Sequence, residues 1–211
     1  MEQYSLDVVE IFYSIQGEGG RAGSPTIFIR LAGCNQKCPF CDTDWRKFKK
    51  LSLGEIADQV TFLSKNGCDW ICWTGGEPLL QLNQQIIDHF DQIGFKQAIE
   101  TNGSLPLLKG LDYVSISPKI PVHQLLKIHV GSHIDEIRYA VGVEKWDEEL
   151  RIPDIDKLPS AEAYYLSPIF GGKEHERLQL NERNVRKVVN YVKENPRWNL
   201  SIQIHKILGF S

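Results

Sequence analysis

No stretch of the 211-residue sequence approaches the roughly 20 consecutive apolar residues that a membrane helix needs, so no membrane span is expected. A basic excess is also missing. The 24 Lys and Arg are outnumbered by 27 Asp and Glu, the net charge is −3, and the pI is near 6.1. That balance argues against a nucleic-acid partner. The first residues, "MEQYSLDVVE", hold acids and no basic n-region. A signal peptide is therefore not expected, and the expected location is cytoplasmic. No repeat, low-complexity tract or linker stands out, and the length suits one domain over residues 1–211. Cysteine is scarce and odd in number: five in all, three of them within eight residues. In a reducing compartment this points to metal or redox chemistry rather than to disulfides. A chain this long can bury roughly 70% of its unfolded surface, so the core needs no disulfide staple.

What is present is alternation. "LDVVEIFY" (6–13) and "PTIFIRLAG" (25–33) read as strands, the second with Ile27, Ile29 and Leu31 on one face. "SLGEIADQVTFLSKNG" (52–67) reads as a helix, with Ser52 and Glu55 as a capping box and Ile56, Val60 and Leu63 as its apolar stripe. "DWICW" (69–73) is a short strand, and Pro78 is expected to open a helix running to about Gly94. "KQAIET" (96–101), "DYVSIS" (112–117), "DEIRYAV" (135–141) and "AEAYYLS" (161–167) read as further strands. Asn181 is expected to cap a helix to about Asn195, and "NLSIQIHK" (199–206) reads as a last strand. Strands alternating with helices predict parallel β/α units. A closed eight-unit barrel usually takes about 250 residues. The shorter chain, with fewer helices than strands, predicts an α/β fold of the open, partial TIM-like barrel kind. A doubly wound sheet is the alternative.

The unusual segments each follow a strand: the cysteine loop, "TGGEP" (74–78), "ETNG" (100–103), "SPK" (117–119) and "SPIFGG" (167–172). In β/α folds the C-terminal strand ends carry the site. Five such segments at one end of one sheet predict a functional mouth there.

Cys34, Cys38 and Cys41 have the spacing C-x3-C-x2-C, and Gly33 and Pro39 favour a turning loop in which the thiols converge. Cys68 and Cys72 flank a strand instead, about 13 Å apart, too far to share a small cluster. Both read as structural. Three ligands leave a place to fill. A zinc loop completed by a distant residue such as His205 is one reading. A [4Fe–4S] cluster with one open iron is the other, because a cluster that only carries electrons uses a fourth Cys.

Other residues have a plain and a chemical reading side by side. Gly75 and Gly76 could form an ordinary turn, or let the backbone approach a ligand while Glu77 accepts from an ammonium group. "SIQGEGG" (14–20) is a Gly-rich connection whose Gln16 offers donors and acceptors suited to a heteroaromatic ring. Arg30 suits either an edge salt bridge or a bidentate clamp on a carboxylate. Asp42, Thr43 and Asp44 form either an acidic turn or oxygen ligands of the kind Mg²⁺ takes. His205, flanked by isoleucines on an expected strand, suits a structural place or a pocket wall.

"CNQKCPFC" resembles the cysteine motif of the radical S-adenosylmethionine enzymes, and "GGEP" resembles their segment for the methionine amine. "SIQGEG", "FIRLAGC", "CDTDW", "TGGEP", "ETNG", "SISPK" and "SIQIHKILGF" together are similar to the 7-carboxy-7-deazaguanine synthase family of queuosine and 7-deazapurine biosynthesis. The resemblance implies an incomplete barrel of the radical S-adenosylmethionine type and a homodimer. It implies that S-adenosylmethionine takes the fourth place on the cluster and yields a 5′-deoxyadenosyl radical. It implies a lyase that converts 6-carboxy-5,6,7,8-tetrahydropterin, with loss of ammonia, into 7-carboxy-7-deazaguanine. An electron donor such as flavodoxin is implied as well.

Carried over by motif, Cys34, Cys38 and Cys41 would bind the cluster. Phe40, Cys41, Asp42, Gly76, Glu77, Ser117, Pro118, Lys119, Ser167, Pro168, Ile169 and Phe170 would line the cofactor site. Ile15, Gln16, Gly17, Arg30, Thr74, His205 and the main-chain carboxylate of Ser211 would contact the pterin. Thr43 would bind Mg²⁺. A glycyl-radical activase would share the cluster but act on a protein. The polar "SIQGEG" loop and Arg30 suit a small carboxylated ring better.

Overall fold

The computed structural model describes residues 4–41, 43–142, 150–170 and 181–209. Among the described residues nine strands form one sheet in the order β3-β1-β2-β4-β5-β6-β7-β8-β9. They are β1 (Ser5–Ile15), β2 (Pro25–Leu31), β3 (Lys49–Ser52), β4 (Trp70–Gly75), β5 (Lys96–Thr101), β6 (Tyr113–Ile116), β7 (Glu136–Val141), β8 (Ala163–Pro168) and β9 (Asn199–Leu200). β1 pairs antiparallel with β2 and β3, while β2 and β4 to β9 run parallel. The ends of the sheet, β3 and β9, are not paired with each other, so the barrel is partial, as the chain length predicts.

Alternation along the strands divides the sheet into two faces. Ile27, Ile29, Leu31, Ile71, Trp73, Ile99, Ile116 and Ile137 pack with Ile56 and Val60 of α1 (Leu53–Leu63) and Ile86, Ile87 and Phe90 of α2 (Gln84–Gln92). The other face holds a small apolar floor of Phe28, Cys72 and Ala98, adjoined by Phe12 and Tyr113. Towards the C-terminal strand ends that face turns polar. Parallel registers align Arg30 with Thr74, Glu100 with Ser115, and Ser115 with Glu136.

The expected capping box is present. Ser52 Oγ accepts from Glu55 N at 3.3 Å, and Glu55 Oε2 accepts from Ser52 N at 2.8 Å. Ser52→Ala is expected to cost about 1 kcal/mol, lowering the melting temperature by roughly 2–4 °C in a calorimetric comparison. α4 (Glu182–Glu194) begins at the expected Asn181 cap, whose side chain accepts from Asn184 N at 3.1 Å.

Two expectations are corrected. The helix expected from Pro78 to Gly94 is split into one 3-10 turn, Pro78–Leu80, and α2. Asn83, extended at φ −138°, starts the second piece by accepting from Ile86 N. The last strand stops at Leu200, and Ile204–Leu208 is a short helix, α5, whose first residue donates from Ile204 N to the carbonyl of Gly17 at 3.1 Å. β3 and the helix α3 (Val122–Ile128) were not foreseen. No helix among the described residues is long and apolar enough to cross a membrane.

Candidate active site

The cysteine loop leaves the end of β2. Cys41 N donates to the carbonyl of Cys38 at 3.1 Å, and Gln36 N lies 3.4 Å from Cys34 Sγ. Burial pushes the Cys38 thiol above its ordinary pKa, while the Lys119 ammonium nearby acts the other way. Lys119 Nζ donates to Ser117 O at 3.0 Å and Ser117 Oγ at 2.7 Å, and sits 5.6 Å from the centre of the Phe40 ring. Burial lowers the pKa of Lys119 itself. The "CPF" and "SPK" segments thus meet, with Pro118 buried between Ser117 and Lys119. Asn102 of "ETNG" joins them by donating to Asn35 Oδ1 at 2.8 Å.

Cys68 and Cys72 lie in two different apolar clusters, away from this loop. Among the described residues no three His, Cys, Asp or Glu side chains gather closely enough to hold one metal ion. A single zinc ion would draw its sulfurs to about 4 Å from one another, given a Zn–S bond of about 2.3 Å. Cys34 and Cys41 both act electrostatically on Cys38, so the three thiols are neighbours in the loop. His205 joins no such group.

The glycine segment is held against this loop. Glu77 N donates to the carbonyl of Gly33 at 2.9 Å, and a side chain at Gly76 would collide with that same carbonyl. Only glycine lets the two backbones come this close. Glu77 has further partners that its motif does not show. It is fully buried, and its carboxylate accepts from Thr101 Oγ1 at 2.8 Å, Asn102 N at 2.8 Å and Leu79 N at 3.1 Å. Burial raises its pKa despite those bonds. Its visible work is to tie the end of β4 to the end of β5. At the end of β8, Ser167 Oγ is buried with no partner among the described residues, beside the buried Pro168. An unpaired buried hydroxyl is a cost that a polar ligand would relieve. Ile169 N bonds Val141 O at 2.8 Å, and Phe170 is buried under Lys206 Nζ, 5.4 Å from the ring centre.

The loop between β1 and β2 crosses the concave face to the far side of the sheet. Gly19 N donates to Ser201 Oγ at 3.0 Å, and Gly20 N to Glu136 Oε2 at 2.7 Å. A side chain at Gly19 would collide with Glu136, which accounts for the run of glycines. His205, on α5 rather than on a strand, lies against Gly17. Gln16 is buried and its Nε2 donates to Glu100 Oε1 at 3.2 Å, while Thr74 Oγ1 donates to Glu100 Oε2 at 2.8 Å. Arg30 Nε pairs with Glu10 at 2.7 Å, and its Nη1 donates to Thr43 Oγ1 at 3.2 Å. The ion pair is present, although β2 is an interior strand, and the same guanidinium lies beside Thr43. Ile15 is corrected. Its register with Pro25 puts it on the face opposite Phe12 and Phe28, and its side chain is 42% exposed, so only its backbone is near the loop. Asp42 and Ser211 lie outside the described residues.

Four charged residues of this site were not singled out from sequence: Glu18, Glu100, Glu136 and Arg138. Burial alone would raise the Glu100 pKa, but the Arg138 charge and the Thr74, Arg138 and Gln16 hydrogen bonds outweigh it and lower the value. The available signal was Glu100 at the C-terminal end of a strand, two residues from Ala98 and on the same face.

Residues 28–152, more than half the chain, match the Radical SAM superfamily. The 7-carboxy-7-deazaguanine synthase of Burkholderia multivorans is 33% identical, over 96% of this chain and 97% of that protein. That of Bacteroides thetaiotaomicron is 37% identical, over 94% and 95%. The chain belongs to the 7-carboxy-7-deazaguanine synthase family. The crystal structure of QueE from Escherichia coli superposes with a TM-score of 0.65 at 23% identity, covering 94% of each chain, which supports the fold. As a radical S-adenosylmethionine enzyme, a member of this synthase family uses a [4Fe–4S] cluster and S-adenosylmethionine. The donor set fits them. Three loop thiols with no fourth cysteine nearby leave room for the cofactor at the cluster, and the orphaned Ser167 hydroxyl faces the same mouth.

Proposed function

We propose that the chain converts 6-carboxy-5,6,7,8-tetrahydropterin into 7-carboxy-7-deazaguanine with loss of ammonia. One observation carries the substrate reading: Glu100 gathers Gln16 and Thr74 at hydrogen-bonding distance, and Thr74 is in register with Arg30, which reaches Thr43. A carboxylate ringed by polar side chains, beside a guanidinium, suits a ring rich in N–H groups that bears a carboxylate.

Cys34, Cys38 and Cys41 hold the cluster. Phe40, Gly76, Glu77, Ser117, Lys119 and the Ser167–Phe170 segment line the S-adenosylmethionine side. When bound, the two groups supply the one-electron chemistry that removes a hydrogen atom from the substrate. The protein's own work is positioning. Gln16, Gly17, Thr74 and His205 hold the ring, with the Ile15 backbone completing the contacts. Arg30 takes the substrate carboxylate, and the Thr43 hydroxyl beside it would hold a Mg²⁺ ion, which would neutralise negative charge there. The loop from β1 to β2 covers the concave face and keeps water out. The whole chain acts as one domain, in a cytoplasmic homodimer reduced by a flavodoxin-like donor.

The test is anaerobic turnover of the reconstituted protein with the tetrahydropterin, S-adenosylmethionine, a reductant and Mg²⁺. Formation of the deazaguanine and ammonia is expected. Thr43→Ala is expected to lower turnover about tenfold or more and to weaken its response to Mg²⁺. Turnover indifferent to both the ion and the substitution would remove Mg²⁺ from the site.

A further inference from the structure

The charge at the bottom of the substrate pocket is concentrated on one residue that the motifs do not include. Arg138, on β7, is 6% exposed and meets three carboxylates. Its Nε lies 3.3 Å from Glu18 Oε2, its Nη2 3.0 Å from Glu100 Oε1, and its Nη1 3.3 Å from Glu136 Oε1. Glu18 belongs to the loop between β1 and β2, Glu100 to β5, and Glu136 to β7 itself.

In hydrogen bonds, each carboxylate has other donors. Glu136 accepts from Ser115 Oγ at 2.7 Å, Tyr113 OH at 2.9 Å and Gly20 N at 2.7 Å. Glu18 Oε1 accepts from Gln203 Nε2 at 2.7 Å, and Glu100 accepts from Thr74 and Gln16. These donors are neutral. Three carboxylates this close repel one another, and Arg138 is the cation within bonding distance of all three. A planar guanidinium with five donors can serve three acceptors in different directions, whereas an ammonium on a flexible stem is a single point of charge.

We propose that Arg138 is a positioning residue for the substrate pocket. By holding Glu18 and Glu100 together it fixes the β1–β2 loop over the concave face and keeps Glu100 aimed at the ring. The part that concerns the ring rests on the substrate reading above; the part that concerns the loop does not. Charge alone does not meet the requirement, because the loop and β5 must be bridged by one rigid group.

The experiment compares the reconstituted holoenzyme with its Arg138→Lys and Arg138→Gln forms. Amide hydrogen exchange is followed in residues 16–21 and in β4 and β5. In Arg138→Lys the loop amides, Gly19 and Gly20 among them, are expected to exchange at least about tenfold faster while β4 and β5 are unchanged. The KM for the tetrahydropterin is expected to rise about tenfold or more with kcat changed much less, and the S-adenosylmethionine-induced change in the cluster's paramagnetic spectrum is expected to persist. Arg138→Gln, if it folds, is expected to show a larger KM effect; if it does not, the Lys form, which keeps the charge, carries the test. Unchanged loop exchange in Arg138→Lys would overturn the proposal, as would uniformly faster exchange across the sheet, which marks a purely structural role. If wild type fails to turn over the pterin while the loop effect stands, the substrate reading falls and the loop assignment to Arg138 survives.

Discussion

Cys38→Ala is expected to yield a folded protein that binds almost no iron and has no measurable turnover. The cysteine loop lies outside the helices and strands of the sheet, so deleting one thiol removes no core contact. A cluster held by three thiolates, one per iron, loses a third of its protein ligands. Its remaining sites cannot compensate, because the loop has no fourth cysteine and Cys68 and Cys72 are buried elsewhere. The thiolate is the ligand, and metal binding must release the proton. Burial works against that at Cys38, and Lys119 works for it. Iron analysis and the visible absorption of the reconstituted protein measure the outcome. Cys72→Ala is the matched comparison. Its thiol is fully buried on the apolar floor, and its pKa is pushed well up by burial, so it is inert. It is expected to keep the full iron content. Loss of iron in Cys72→Ala with retention in Cys38→Ala would reverse the ligand assignment.

Gly76→Ala is expected to be nearly as damaging by a purely steric route. The new methyl group would meet the Gly33 carbonyl, a backbone atom that cannot rotate aside. That carbonyl also accepts from Glu77 N, and the next residue is Cys34. Relief therefore requires the cysteine loop and the glycine segment to part. Overpacking of this kind costs about 1–3 kcal/mol of stability. A misplacement of about 1 Å in a site costs about 100-fold in rate. A lowered melting temperature, weaker S-adenosylmethionine binding and turnover reduced at least about 100-fold are expected together. Gly54→Ala serves as the control. Gly54 is in the first turn of α1 with open space around its Cα, and alanine there is expected to stabilise by about 0.5–1 kcal/mol. Turnover of Gly76→Ala equal to that of Gly54→Ala would remove the close approach from the site's requirements.

The cofactor half of the site was legible because its residues are local. Cys34, Cys38 and Cys41 sit on one turn, and "GGEP" and "SPK" each occupy the end of one strand. The capping box at Ser52 and Glu55 and the Asn181 cap are also short-range patterns, and both formed where the spacing placed them. Glu77 shows where such reading stops. Its motif suggested a ligand for an amine, and only the fold shows that Thr101 and Asn102, at the end of β5, also bond its carboxylate. His205 shows the same for secondary structure. Its alternating isoleucines predicted a strand, but the strand stops at Leu200 and Ile204 N bonds the distant Gly17 carbonyl at the start of a short helix.

By itself the sequence determined the β/α alternation, the side of the sheet that bears the unusual loops, and a cysteine spacing that leaves a cluster one ligand short. These depend on side-chain periods and on turns of a few residues. Tertiary structure alone decided that the β1–β2 loop crosses the concave face, that Glu77 faces inward, and that Arg138 joins Glu18, Glu100 and Glu136. The physical reason is the order of the strands. A buried charge is stable only beside its counter-charges, and which carboxylates stand beside Arg138 is set by strand neighbours and loop path, which no local pattern in the chain records.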